Sequence, residues 1–292
     1  MEPLNALPKY NLFGLEEQDY KSSKIVALPV PYESTVTYRS GTKEGPRAII
    51  EASRNIELYS YELGKDISSI GIFTTDELAP DLSSPENMIK QIGKEVGIVI
   101  DDGKIPFLIG GEHTITLGSL NALKDRKKEF SIINFDAHTD TRDTIFGSKY
   151  THATVMKRAS EICNDIVQVG TRSIDAQSAG AIDKDRLFTV DRIREAQATD
   201  IVEDITELTN DNIYLSIDLD VLDPSEMPSV GTPEPDGLSF HTVAELIKGI
   251  ASMKNLIGLD IVELSPIPYL IAPNFLAAKL AYLTLGYFFG KQ

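Results

Sequence analysis

The chain has 292 residues, 42% of them hydrophobic and 25% charged, with a formal net charge of −16. That length and balance fit one large globular domain with a sizeable core, and the acidity argues against nucleic acid as a partner while favouring small cations. A lone cysteine, Cys163, excludes an internal disulfide framework and any thiolate-built metal cluster; no stretch has membrane-span length and residues 1–10 lack a targeting pattern, so no membrane partner and a cytoplasmic setting are expected.

Along the chain, short β-branched runs alternate with amphipathic segments of helix length. Lys24 to Val30 reads as a strand stopped by Pro29 and Pro31, and Gly45-Pro46-Arg47 opens a helix with proline near its first turn. Ser84-Pro85-Glu86 caps a second helix whose Ile89, Ile92, Val96 and Ile100 recur at helical spacing. Ile105 to Ile109 forms a strand that runs into Gly110-Gly111-Glu112-His113, and helical spacing resumes over Thr114 to Leu123. Strands follow at Ser131 to Phe135, Ile166 to Val169, Leu187 to Val190, Ile213 to Ile217 and Leu256 to Ile261, with helices such as Thr199 to Leu208 and Phe240 to Met253 between several of them. Near-continuous apolar strands separated by helices predict an α/β fold, a mostly parallel sheet covered on both faces, with ligands bound beyond the carboxyl ends of the strands.

Polar clusters stand at those ends. After Gly110-Gly111, whose glycines are expected to let the backbone turn sharply, comes His113. Asp136, His138 and Asp140 alternate at the end of another strand, so in extended chain they share one face. Asp218 and Asp220 repeat the alternation, and Glu263 ends a further strand. Singly, each has an ordinary explanation as a turn former or cap. Jointly, imidazoles and carboxylates on this scale exceed what one cation needs, and a pair of divalent ions would balance the buried charge. Such ligands suit Mn, Fe, Co or Zn, and two such ions acidify water between them, which makes metal-assisted hydrolysis the expected reaction class. The bond attacked stays open at this point.

Gly-Gly-Glu-His, Asp-Ala-His-Thr-Asp, Ser-Ile-Asp-Leu-Asp-Val-Leu-Asp-Pro and Val-Glu-Leu-Ser-Pro together resemble the signatures of the ureohydrolases, the arginase and agmatinase family, from about Pro29 to the C-terminal helix. Arg39-Ser40-Gly41-Thr42 and Gly45-Pro46-Arg47 belong to the same resemblance. It implies a single three-layer α/β/α domain over 1–292, with residues 1–23 as an N-terminal extension packed on it, a centre of two Mn2+ ions, and a homotrimer or homohexamer. Asp136 and Asp218 would bridge the ions, His113 and Asp140 would complete one, and His138 and Asp220 the other. Glu263 would bind the guanidinium of the substrate, whose planar donor fork a carboxylate matches. His152, in Tyr150-Thr151-His152-Ala153-Thr154, matches the family histidine assigned to proton transfer.

Departures from the pattern bear on the substrate. Where arginases carry an asparagine after Asp-Ala-His-Thr-Asp, this chain has Thr141-Arg142-Asp143, which favours the agmatinase branch: agmatine to putrescine and urea, a step of polyamine biosynthesis. Arg142 could instead bind a substrate carboxylate, as in guanidinobutyrase or formimidoylglutamase, although a salt bridge to Asp143 or another acid is the expected role. Arginase is a further alternative, and a catalytically silent metal-binding protein of the same fold is the alternative of another class. Asp236-Gly237 stands where Gly-Gly is usual. Gly170-Thr171-Arg172-Ser173 is given no chemistry, since an arginine there equally suits a subunit contact, and His241 is read as a solvated first-turn residue.

Overall fold

A computed structural model describes residues 7–290 apart from residues 17, 177 and 181. In chain order the strands are β1 (Ile25–Val30), β2 (Tyr59–Ser60), β3 (Lys65–Asp66), β4 (Ile72–Thr74), β5 (Ile105–Gly110), β6 (Ser131–Phe135), β7 (Ile166–Thr171), β8 (Leu187–Thr189), β9 (Asn212–Asp218) and β10 (Asn255–Val262). The helices are α1 (Gly45–Ser53), α2 (Pro85–Asp101), α3 (Thr116–Asp125), α4 (Val155–Ala159), α5 (Val190–Glu195), α6 (Ala198–Glu207), α7 (Phe240–Met253) and α8 (Ala272–Phe289). Ser84 caps α2 by accepting from the Asn87 N–H at 3.2 Å, with Pro85 in the first turn, as the sequence predicts. The elements absent from the sequence reading are the short ones: the β2–β3 hairpin, β4, α4 and α5 are too brief to show a period.

Eight strands form one sheet in the order β4-β1-β5-β10-β9-β6-β7-β8, and every pairing in it is parallel. Because successive side chains point to opposite faces, each strand feeds two cores. Along β1, Ile25 and Ala27 join the core that holds α1, α6, α7 and α8 residues, while Val26, Leu28 and Val30 join the one under α2 and α3. The three-layer α/β/α architecture follows from that division. Of the expected extension, residues 1–6 lie outside the described residues. Leu12, Phe13 and Leu15 are buried in the first core, with the Phe13 N–H donating to Ser53 Oγ of α1 at 2.8 Å.

Two expectations need correction. Pro29 does not stop β1 but lies within it, opposite Ile109. Its carbonyl accepts from Leu78 N at 2.9 Å, so its nitrogen points to the side on which β4 has already ended, and no ladder bond is lost there. The second concerns Gly110-Gly111. Neither glycine has positive φ; they are needed for space. A Cβ on Gly111 would lie 2.0 Å from the carbonyl oxygen of Tyr32. Gly111→Ala is therefore expected to destabilise the fold by about 3 kcal/mol, because backbone cannot retreat as a flexible side chain can. A urea titration checks this, and an unchanged midpoint would refute it.

Candidate active site

The strand order gathers the polar ends. β5, β10, β9 and β6 are consecutive neighbours at the centre of the sheet, and their carboxyl ends carry His113, Glu263, Asp218 with Asp220, and Asp136 with His138 and Asp140. His138, Asp140, Asp218, Asp220, Glu263 and His152 line one cavity of about 360 Å³, and His113 and Asp136 are fully buried beside these ligands. Arg39, Arg142, Phe146 and Asp175 line its outer part.

His113 Nδ1 lies 3.4 Å from Asp136 Oδ2, 3.4 Å from Asp140 Oδ2 and 3.3 Å from Asp218 Oδ2. His138 Nδ1 is 2.9 Å from Asp220 Oδ2 and 3.7 Å from Asp136 Oδ1. Two groups, His113 with Asp136 and Asp140, and Asp136 with His138 and Asp220, each converge closely enough to hold a cation, and Asp136 belongs to both. Backbone donors fix the carboxylates: His138 N donates to Asp136 Oδ1 (2.6 Å), Ala137 N to Asp220 Oδ1 (3.0 Å) and Asp220 N to Asp218 Oδ1 (2.9 Å). Asp140 (φ 49°) and Glu263 (φ 67°) hold left-handed backbone, which costs about 1–3 kcal/mol each and concentrates strain at the cavity.

The donor chemistry tests whether cations fit. His113 Nε2 is 2.9 Å from Ser216 Oγ, whose own proton goes to Asp260 Oδ1 at 2.7 Å. Asp260, fully buried, also accepts from Tyr214 and Thr116 hydroxyls at 2.7 and 2.8 Å on Oδ2. With the Ser216 proton committed, His113 Nε2 carries hydrogen and Nδ1 presents a lone pair to three carboxylates. Nδ1 is buried without a hydrogen-bond partner among the described residues, an arrangement that repels itself unless a positive charge lies between. Protons would otherwise fill that need. Burial and the repulsion of Asp136 push Asp140 up to about 6. Burial, then Asp220 and Asp136, raise Asp218, and burial lifts Glu263 to about 8. Burial alone would lower His138, but Asp220 and Asp136 overcome it and hold the ring up to about 12. The residues present therefore fit a pair of divalent cations.

Glu263 lines the cavity, its Oε1 accepting from His113 N at 2.6 Å. His152 lines it too, with Nδ1 3.2 Å from Thr35 Oγ1 and Nε2 3.4 Å from Thr37 Oγ1, and burial lowers its pKa. Arg142 is exposed and lines the cavity, but the expected bridge to Asp143 does not form: Asp143 Oδ1 pairs with Arg158 at 2.5 Å. Arg158 lies in α4, fifteen residues on, and no local pattern brings it near. Among the described residues Arg142 has no ion-pair partner. His241 is exposed on the first turn of α7, away from the cavity.

Arg172 does more than the sequence suggested. Its guanidinium turns inward and donates to the carbonyls of Asp220 and Glu234 at 2.7 Å and of Pro235 at 3.0 Å, clamping the segment after β9 to the loop before α7. Carbonyl partners leave no signature in sequence, so the residue could not be recognised. Asp260 and Ser216 escape the sequence reading for another reason: each lies in or beside a quoted motif, but their partners Thr116 and His113 are brought to them only by the fold.

Comparison with known proteins extends the resemblance. The family model described as "Arginase family" matches residues 23–286. An N(1)-aminopropylagmatine ureohydrolase of Synechocystis is 35% identical over 98% of this chain and 95% of its own. An agmatinase of Halalkalibacterium halodurans is 30% identical over 87% of this chain and 88% of its own. The crystal structure of agmatine ureohydrolase of Thermoplasma volcanium superposes with a TM-score of 0.86, at 31% identity, covering 96% of this chain and 94% of that one. Matched along nearly its whole length by sequence and by fold, the chain belongs to the arginase family.

Proposed function

We propose that this arginase-family ureohydrolase releases urea from a cationic guanidinoalkylamine, agmatine or its N1-aminopropyl derivative, with residues 1–292 acting as one domain. The observation that carries the reading is the pair of converging ligand groups sharing Asp136, with Glu263 and His152 both lining the same cavity. His113, Asp136, Asp140 and Asp218 would hold one cation; Asp136, His138, Asp218 and Asp220 would hold the other, with manganese as the ion the family resemblance implies. When bound, such a pair supplies a nucleophile from water at neutral pH and charge stabilisation for the developing tetrahedral carbon.

The chain's own residues do the rest. Glu263, anchored by His113 N, offers its outward oxygen to the guanidinium and fixes the central carbon over the cluster. Water oxygen adds to that carbon, the bond between it and the nitrogen that carries the alkyl chain breaks, and a proton must reach that departing nitrogen; His152 delivers it. Urea and an amine result. Relatives at 30–35% identity include N(1)-aminopropylagmatine ureohydrolases and agmatinases, and both substrates are cationic, which suits a chain of net charge −16.

One observation favours a second reading. The unpaired Arg142 guanidinium on the cavity wall would attract a carboxylate-bearing guanidino acid and repel an ammonium tail. Assaying manganese-loaded protein with agmatine, N1-aminopropylagmatine, 4-guanidinobutyrate, arginine and formiminoglutamate separates the two. We expect kcat/KM for the amines to exceed that for the acids by at least about 100-fold, and Arg142→Ala to raise it a further two- to threefold, as for a charge at a solvated rim. Urea from the acids alone, lost in Arg142→Ala, would replace the first reading with the second. No urea or formamide from the whole panel would leave the silent-protein alternative standing.

A further inference from the structure

The structure assigns Glu112 and Thr35 a role nothing in the motif pattern gives them: they act as positioning residues that fix the imidazole tautomer of His152. The inference rests on the reading above, in which His152 delivers a proton, and it comes from counting hydrogens.

Glu112 is fully buried just after β5, and all its contacts are donors. Oε2 accepts from the backbone of Ser34 and Thr35, both at 2.7 Å; Oε1 accepts from the hydroxyls of Thr35 at 2.9 Å and Thr114 at 2.8 Å. The single hydroxyl proton of Thr35 is therefore committed to Glu112. Thr35 Oγ1 keeps two lone pairs. One accepts from His152 N at 3.1 Å, and the other faces His152 Nδ1 at 3.2 Å. Only a protonated Nδ1 satisfies that contact. Nε2 is left with its lone pair, beside the Thr37 hydroxyl and open to the cavity. A neutral His152 thus always presents its basic nitrogen to the reacting groups, where it can take up and return a proton.

The relay can be reversed with hardly a change of shape. In Glu112→Gln, the amide oxygen keeps the Ser34 and Thr35 N–H bonds and the NH2 faces the two hydroxyls. Thr35 Oγ1 then accepts from the amide and turns its proton to His152 Nδ1, which forces hydrogen onto Nε2.

Long-range 1H–15N spectra of the full chain, loaded with diamagnetic zinc at a pH where the ring is neutral, read the tautomer directly. The chain has only four histidines, and His152→Gln identifies the signal. We expect Nδ1–H in the wild type and Nε2–H in Glu112→Gln. In the manganese-loaded enzyme we expect kcat to fall about 100-fold with KM within threefold, the scale of a lost proton-transfer partner. Thr35→Val should lose kcat likewise, and Thr35→Ser, which keeps the hydroxyl, should restore it. An Nδ1–H ring in Glu112→Gln, or wild-type kcat in a folded Thr35→Val, overturns the inference. If the wild type releases no urea, the functional reading fails instead, and the tautomer spectra still decide the relay.

Discussion

Asp136→Asn is expected to abolish urea release, by at least about 10³-fold, and to lower the metal content below about two ions per chain while the fold persists. Asp136 is the residue common to both ligand groups, it is fully buried, and its oxygens are held by His138 N and by Asn134 Nδ2 at 3.1 Å. Asparagine keeps the shape but has a single acceptor oxygen and no charge, so it cannot serve two cations. Whichever way the amide turns, its NH2 also meets one of those two donors. In the metal-free chain the change relieves the repulsion felt by Asp140 but gives up the attraction of His113 and His138, which outweighs burial and holds the Asp136 carboxyl well below its usual range, so persistence of the fold is read directly. Metal analysis, urea assay and circular dichroism on one preparation test the set. A folded variant that retains both ions and works within tenfold of wild type would remove Asp136 from the centre of the scheme.

Glu263→Gln should spare the cluster and lose the substrate, with kcat/KM down about 10³-fold, within the range for removing one partner of a buried charge pair. Glutamine can still accept from His113 N, but where the carboxylate offered a second oxygen it presents an NH2 to a guanidinium made only of donors. Stability should move the other way in chelated protein. The Glu263 carboxyl is pushed from 4.5 up to about 8 chiefly by burial. Between those values the folded chain holds a proton that the unfolded chain releases, so wild-type stability falls as pH rises through that window. Glutamine does not titrate, and the advantage of Glu263→Gln in melting temperature should therefore grow from pH 5 to pH 8. A constant difference across that range would show that the buried charge is not what costs stability there.

How legible the molecule was depended on how local each feature is. Apolar runs of strand length, the cap at Ser84, the proline-led start of α1 at Gly45-Pro46 and the alternation of Asp136, His138 and Asp140 are written in consecutive residues, and the parallel α/β architecture, with all its sheet strands but β4, followed from them. The β2–β3 hairpin, β4 and the short helices α4 and α5 escaped because periodicity needs length. Pro29 misled because its missing donor matters only where a neighbouring strand exists, and β4 is three residues long. The role of Gly111 was misjudged for the same reason: the chain that crowds it, at Tyr32, is remote in sequence.

By itself the sequence determined the inventory: which side chains end each strand, that they suit divalent cations, and, through ordered motifs, the family. Strand order decided everything about their mutual placement. β10 inserts between β5 and β9, which sets Glu263 beside His113 across 150 residues of chain. Tertiary packing likewise turned Arg172 onto backbone carbonyls, paired Asp143 with Arg158 and joined Glu112 through Thr35 to His152. The physical reason is range: periodicity and capping act within a few residues, whereas hydrogen-bond saturation and charge crowding depend on whatever the folded chain brings within about 3 Å.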